Sequence, residues 1–295
     1  MDSQLIISQK KQKNSYHSKI ELLSPAKINL YLNIVGKSGG YHRLESIAER
    51  ISLFDKISIK IKPGSSINIS SNNKQLETKK NLCYKAAKLI KDVLNIPFGF
   101  DICLEKNIPI GSGLGGGSSN AAFTLLGIKQ LLALDISRDD LYRMGQKLGS
   151  DVNFFLADAK FAYLSGRGQI VEPLPSKIRL KHFIIWPKTF VSTKVVYKNS
   201  KAKLTRFFSN VNMLKYSLKN KDYFLIKKGI YNHLEKSAFS LCNSLANLKE
   251  ALIKRNIFSA MSGSGSAFYT LGSEKQSIIK TAVPDKWILG SFQTF

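Results

Sequence analysis

A chain of 295 residues has room for one large or two medium domains around an ordinary buried core. Its hydrophobic content of 43% is that of a globular protein, and no apolar run is long enough to cross a bilayer as a helix. Lysine and arginine number 45 against 20 aspartates and glutamates, a formal net charge of +25, which makes polyanions the natural partners.

The basic residues are spread along the chain, among them Lys56, Lys60, Lys62, Lys198, Lys201, Lys203, Arg206, Lys215, Lys219, Lys221, Lys227 and Lys228. No zinc module, basic coiled coil or basic-aromatic motif accompanies them, which argues against nucleic acid; a lysine-rich proteome or attraction of polyanionic small molecules explains the charge as well. A basic RNA-binding protein stays as the non-enzyme alternative. Cys83, Cys103 and Cys242 stand far apart in apolar surroundings and read as buried free thiols of a reducing, cytoplasmic setting. Residues 1–19 hold Lys10, Lys11, Lys13 and Lys19, with only Leu5-Ile6-Ile7 apolar together, and are expected to be a disordered basic tail.

From Ile20 to Ile34 the residues Ile28, Leu30, Leu32 and Ile34 alternate as the core face of a strand. Lys27, Asn29, Tyr31 and Asn33 take the opposite face, where Lys27 reads as a solvated strand lysine. Gly36 to Arg43 reads as a turn carrying Tyr41 and His42. Residue types alone leave two readings of that pair equal: a core tyrosine with a capping histidine, or a stacking platform with a neighbouring donor and acceptor. Ile57, Ile59 and Ile61 form a second strand, with Ser66–Ser70 expected to pair with it after the Pro63-Gly64 turn. Asn81–Leu94 is an amphipathic helix, and Phe98–Leu104 a strand.

Next comes Pro109-Ile110-Gly111-Ser112-Gly113-Leu114-Gly115-Gly116-Gly117-Ser118-Ser119, then a helix expected over Ser118–Leu134 and capped by Ser118 or Ser119. Strand, glycine loop and helix start in that order aim backbone N–H groups at an anion, most often a phosphate. No Gly-Lys-Ser/Thr follows, so this is not a Walker A loop. Gly111-x-Gly113-x-x-Gly116 formally matches a dinucleotide fingerprint, a weak signal in a chain without a βαβ series. Ser137 with Asp140 caps a further helix that ends near Gly149. Asp151 then stands at a helix end, where the dipole disfavours an anion, so an Asx-turn is not its whole explanation.

Strands are expected on both sides of Gly166-Arg167-Gly168 and at Lys181–Trp186, and a helical turn at Thr193–Tyr197. Helices follow at Leu225–Phe239, Asn243–Lys254 and Ser277–Val283, and a last strand at Trp287–Phe292. A second glycine turn, Ser262-Gly263-Ser264-Gly265, precedes Phe268-Tyr269. The fold class is α+β in two lobes, with the boundary near 157–175.

Three pieces in one order, Pro25-Ala26-Lys27-x-Asn29, Pro109–Ala122 and Ser262–Gly265, resemble the GHMP kinases. The resemblance spans roughly residues 20 to 295. It implies an N-terminal lobe like ribosomal protein S5 domain 2 over 20–165, a C-terminal α+β lobe over 166–295, and a site in the cleft between. Gly40-Tyr41-His42 and Gly149-Ser150-Asp151-Val152 point to the branch that uses ATP and Mg²⁺ to phosphorylate the 2-hydroxyl of 4-diphosphocytidyl-2-C-methyl-D-erythritol.

On that resemblance, Pro109 to Ser119 wraps the ATP phosphates, the Gly263-Ser264-Gly265 turn closes on them, and Ser118 is a candidate metal contact. Asp151 is the base, Lys27 its cationic partner, and Asn29 holds substrate. Tyr41 and Tyr197 sandwich the cytosine, His42 reads its edge and Thr193 lines the pocket. A homoserine or mevalonate-type GHMP kinase is the alternative enzyme, and a base-stacking pair argues against it. The expected partner is this small molecule, with no membrane, and the expected state a monomer or weak homodimer.

Overall fold

The computed structural model describes residues 19–200, 210–272 and 276–295. The predicted tail before Lys19, and Lys201, Lys203 and Arg206 of the basic stretch, lie outside the described residues. Two compact units interleave along the chain. The first gathers the residues through Ala26, Leu53–Ile108 and Gly116–Asp158, the second Lys27–Ser52, Pro109–Gly115 and Ala159–Phe295.

In the first unit lie the start of β1 (Lys19–Ser38) and the end of β2 (Tyr41–Lys62), then β3 (Ile67–Ser71), α1 (Leu82–Val93), β4 (Gly99–Glu105), α2 (Gly116–Leu131), α3 (Arg138–Leu148) and α4 (Val152–Leu156). β4 is antiparallel to β2, with Ile59 opposite Ile102, and parallel to β3, with Ile69 opposite Ile102. The segment after Pro63-Gly64 therefore does not pair with β2 as expected. β4 occupies that edge, and α1 between β3 and β4 is the crossover that a parallel pair requires.

Ile57, Ile59, Phe100 and Leu104 are buried, as are Ala86 and Ile90 of α1 and Ala122, Leu125 and Ile128 of α2. The absent side chain of Gly127 lets α2 approach the strands: a Cβ there would lie 2.6 Å from Leu22 Cδ1 and 2.9 Å from Ile59 Cδ1. Asn81 caps α1 by accepting from Cys83 N at 2.8 Å. Ser137 caps α3 by accepting from Asp140 N at 3.1 Å and donating to the Asp140 carboxylate at 2.6 Å.

The second unit holds the rest of β1 and β2, then β5 (Phe161–Ser165), β6 (Ile170–Leu174), β7 (Lys181–Ile185), α5 (Thr193–Asn199), α6 (Asn210–Asn220), α7 (Tyr223–Gly229), β8 (Tyr231–Asn232), α8 (Glu235–Leu241), α9 (Asn243–Lys254), β9 (Ser259–Met261), β10 (Phe268–Thr270), α10 (Gln276–Lys280) and β11 (Ile288–Gln293). β8 runs parallel to β1, with Leu32 opposite Asn232, and β5 is antiparallel to β2, with Ala48 opposite Ala162. A separate sheet has the order β11-β7-β10-β9. Leu32, Ile185, Val196, Leu245, Leu252 and Phe268 centre its core.

Three expectations are corrected here. Tyr41 and His42 begin a strand, because the reversal is completed at Gly39 and Gly40, both at positive φ (57° and 77°). The single helix expected over Leu225–Phe239 is α7, the short strand β8 and α8, since pairing with β1 outweighs the local helical period. Of the three cysteines, all free, only Cys83 is buried; Cys103 is exposed and Cys242 half-buried.

Candidate active site

In the first unit, α2 begins at Gly116, two residues before the expected start, so Ser118 and Ser119 lie inside its first turn and not at its cap. Ser119 Oγ is buried against Ser24 Oγ at 2.7 Å, and Asn120 Nδ2 donates to the same Ser24 hydroxyl at 3.1 Å. Asp55, fully buried, ties both flanks of the glycine loop. One carboxylate oxygen accepts from Asn107 N at 2.7 Å and Ile108 N at 2.8 Å; the other accepts from Asn120 Nδ2 at 2.8 Å and pairs with Lys106. A buried carboxylate with this many donors is a rigid peg for the loop. Burial pulls the Lys106 ammonium below its usual pKa, opposed by Asp55.

Asp151 follows Gly149-Ser150 and immediately precedes α4. The expectation of an anion stranded at a helix C-terminus is thus corrected: the residue enters a helix as well as leaving one. The Gly149 Cα stands close to the head of α2, since a Cβ on it would lie 3.7 Å from Ser118 Oγ. Within this unit, the Asp151 turn and the helix start of the glycine loop are neighbours.

In the second unit, Lys27 is 4% and Asn29 2% exposed, so the solvated-lysine reading of Lys27 is overturned. Strand alternation missed it because β1 is covered on both faces at this point. Lys27 Nζ donates to Asn29 Oδ1 at 2.5 Å, Asn29 Nδ2 donates to Ser46 Oγ at 2.8 Å, and Tyr269 Oη donates to Asn29 O at 2.9 Å. The glycine loop joins them, with Lys27 N donating to Leu114 O at 2.9 Å. The second glycine turn joins as well: Ser262 Oγ donates to Gly113 O at 3.0 Å, Ala267 N donates to Ser112 O at 2.9 Å, and Ser264 Oγ meets Thr193 Oγ1 at 2.8 Å. Gly111, Gly113 and Gly115 all have positive φ. At Gly113 (φ +80°) a Cβ would also strike the Ser262 carbonyl.

Tyr41 is 53% exposed, and the Arg167 guanidinium stands over one face of its ring at 3.6 Å. His42 and Tyr197 have ring centroids 5.5 Å apart. Burial, then the charges of Lys37 and His233, hold the His42 pKa below its usual value. A neutral imidazole of that kind offers one donor and one acceptor. Lys27, Asn29, Pro109–Gly115, Thr193 and Ser262–Gly265 are thus linked within one unit, and Tyr197 with His42 in the same unit.

The GHMP kinase N-terminal domain model matches residues 81–166 and the GHMP kinase C-terminal model residues 214–289. The chain is 36% identical over 255 residues to the 4-diphosphocytidyl-2-C-methyl-D-erythritol kinase of Lachnoclostridium phytofermentans, covering 85% of this chain and 87% of that protein. It is 34% identical over 251 residues to the protein of the same name from Chlorobium phaeobacteroides, covering 84% and 87%. The chain belongs to the 4-diphosphocytidyl-2-C-methyl-D-erythritol kinase family of GHMP kinases.

A crystal structure of 4-(cytidine 5'-diphospho)-2C-methyl-D-erythritol kinase superposes with a TM-score of 0.75 at 29% identity, covering 93% of this kinase and 99% of that chain. The homoserine kinase of Cytophaga hutchinsonii, at 21% identity and a TM-score of 0.72, shares the fold over 97% and 96% of the two chains. The α+β GHMP kinase fold and an ATP-dependent small-molecule kinase are therefore established for this chain, and among the described residues no helix is long and apolar enough to cross a membrane. Sequence reading missed Asp55, Lys106 and Asn120 in this kinase. Lys106 and Asn120 signalled themselves only as polar residues beside a phosphate-type loop and Asp55, far upstream in β2, not at all; their meeting is a matter of tertiary contact.

Proposed function

We infer that this kinase transfers the γ-phosphoryl group of ATP to the 2-hydroxyl of 4-diphosphocytidyl-2-C-methyl-D-erythritol, giving the 2-phosphate and ADP. The observation that carries the reading is the buried Lys27–Asn29 pair joined to Leu114 of the glycine loop, in a chain 36% identical to a protein of that name. Phosphoryl transfer needs in-line positioning and charge neutralisation more than covalent help from the protein.

Pro109–Ser119 wraps the phosphates and Gly263-Ser264-Gly265 closes on them. Asp151 accepts the proton of the attacking hydroxyl, and Lys27 stabilises the oxygen as it becomes an alkoxide. Asn29 and Thr193 hold the acceptor. Tyr41 and Tyr197 flank the cytosine, and the neutral His42 supplies a donor and an acceptor to its edge. The exposure of the Tyr41 ring supports the stacking role.

Mg²⁺ supplies charge neutralisation on the transferred phosphates. Among the described residues no three His, Cys, Asp or Glu side chains cluster as a metal cage. Mg²⁺ keeps several waters and binds largely through phosphate oxygens, and Ser118, in the first turn of α2, would be its protein contact in this reading.

Residues 20–165 and 166–295 are read as the two GHMP lobes, supported by the family matches at 81–166 and 214–289. The setting is cytoplasmic, which the exposed free thiol of Cys103 supports, and the state a monomer or weak homodimer. A coupled ADP-release assay tests the reaction. Turnover is expected with the cytidyl-methylerythritol substrate and not with homoserine or mevalonate; equal turnover with homoserine would overturn the nucleobase part.

A further inference from the structure

Asn232 lies in the segment that local periodicity assigns to a helix interior, and its side chain is fully employed elsewhere. Nδ2 donates to Met261 O at 2.7 Å and to Gly263 O at 2.8 Å, while Oδ1 accepts from Leu234 N at 2.9 Å. Three bonds of defined polarity fix which end of the amide is which. Its backbone is held too: Asn232 stands opposite Leu32 in the β8–β1 pairing, and His233 N donates to Leu32 O at 2.8 Å. Glu235, at the head of α8, accepts from Met261 N at 2.8 Å, and Lys249 donates to Ser259 O. Met261 is therefore gripped at both its N–H and its C=O, and Gly263 at its C=O.

A trans peptide points its C=O and N–H in opposite directions. The Gly263–Ser264 peptide is trans, so holding Gly263 O on Asn232 turns Ser264 N–H away from it. Gly263, at φ +57°, stands against the other half of the site: a Cβ on it would lie 3.2 Å from Gly113 O and 3.5 Å from Asn29 Oδ1. Successive amides through a left-handed residue make a concave anion seat.

We propose that Asn232 is a positioning residue for phosphoryl transfer, orienting the Ser262–Gly265 turn so that the Ser264 amide N–H donates to the nucleotide phosphates. The proposal rests on the kinase reading above. It assigns to a side chain remote from the reacting atoms the aim of a backbone donor that meets them. Aspartate in its place keeps the size and the acceptor for Leu234 N but sets an oxygen against two carbonyls. Alanine removes all three bonds.

The test is ¹⁵N–¹H spectroscopy of the whole chain titrated with a non-hydrolysable ATP analogue and Mg²⁺, alongside kinetics of Asn232→Asp and Asn232→Ala. In the wild type, the Ser264 amide is expected to shift together with those of Gly111–Ser119. In folded variants the Ser264 response is lost, KM for ATP rises about 10-fold or more, and kcat/KM falls about 100-fold, the loss typical of one misaimed donor. KM for the alcohol stays within about twofold. If the glycine-loop amides respond and Ser264 does not, the proposal fails while the kinase reading stands. If no amide responds, the kinase reading itself fails. A folded variant with unchanged kinetics, or one whose loss follows its melting temperature alone, also overturns the proposal. Where the variants do not fold, the wild-type titration still tests the Ser264 contact, and a silent Ser264 overturns the proposal.

Discussion

Asp151 and Lys27 are placed by different means. Asp151 sits at the joint between α3 and α4, so its position follows from where two helices end and begin. Lys27 is held within a strand by Asn29 and, through its own amide, by Leu114. Asp151→Ala is expected to lower kcat by about 10²–10⁴, the span of a lost general base. Nucleotide affinity, measured by equilibrium titration, should survive, and near-normal turnover would remove Asp151 from that role.

A separate buried cluster, His182 with Glu49, carries a prediction about the pH dependence of stability. His182 Nε2 lies 3.1 Å from both Glu49 oxygens, His182 Nδ1 2.7 Å from Thr270 O, and Thr294 Oγ1 donates to Glu49 at 2.6 Å. Burial alone would strip the imidazole of its proton, but the Glu49 charge and hydrogen bond, with the Thr270 carbonyl, outweigh it and raise the His182 pKa above its ordinary 6.5. A raised folded-state pKa contributes stability that is complete below the unfolded value of 6.5 and is lost as pH rises through the folded one. Urea midpoints should therefore fall on going upward from about pH 6.5. Glu49→Gln should bring the His182 titration, followed by NMR, below that value. An unmoved titration would detach the histidine from Glu49.

At the scale of elements, the glycine loop is held from both ends by contacts its own composition does not announce. Asp55 ties Asn107, Ile108 and Asn120 in the first unit; Lys27, Ser262 and Ala267 tie Leu114, Gly113 and Ser112 in the second. The glycines answer to this crowding as much as to φ. Gly113→Ala meets both penalties, a left-handed φ of +80° and a Cβ driven into the Ser262 carbonyl, with Gly265 O only 3.0 Å away. Displacement of the loop by about 1 Å is enough to cost about 10²-fold in kcat/KM. Steady-state kinetics with ATP varied should show it, with circular dichroism unchanged.

Local pattern reads long regular elements well. α9 is where apolar spacing puts it, at Asn243–Lys254, and α3 starts at its Ser137 cap. It fails where pairing at a distance decides. β8 interrupts an expected helix because Tyr231 and Asn232 bond to β1, and β3 joins β4 rather than β2 because α1 carries the chain across.

Across the whole molecule, a net charge of +25 creates a positive field that draws an anionic nucleotide towards the protein. The field acts on encounter and is screened beyond about 8–10 Å at physiological salt. Raising KCl at constant Mg²⁺ should lower kcat/KM for ATP while leaving kcat nearly flat. A kcat that falls in parallel would place the salt effect on the chemical step instead.

The amino-acid sequence by itself announces an α+β chain, a phosphate-type loop between strand and helix, and motifs in GHMP kinase order. The fold class and the loop reside in neighbours along the chain (apolar period, caps and glycines in a row), and the family resemblance in the succession of three short motifs. Whether Lys27 is wet or buried, which carboxylate anchors the loop, and how Asn232 grips the second glycine turn were decided only in three dimensions. Each depends on burial and on hydrogen bonds between residues far apart in sequence, and the free energy of a buried charge or amide is set by the partners that the fold brings to it.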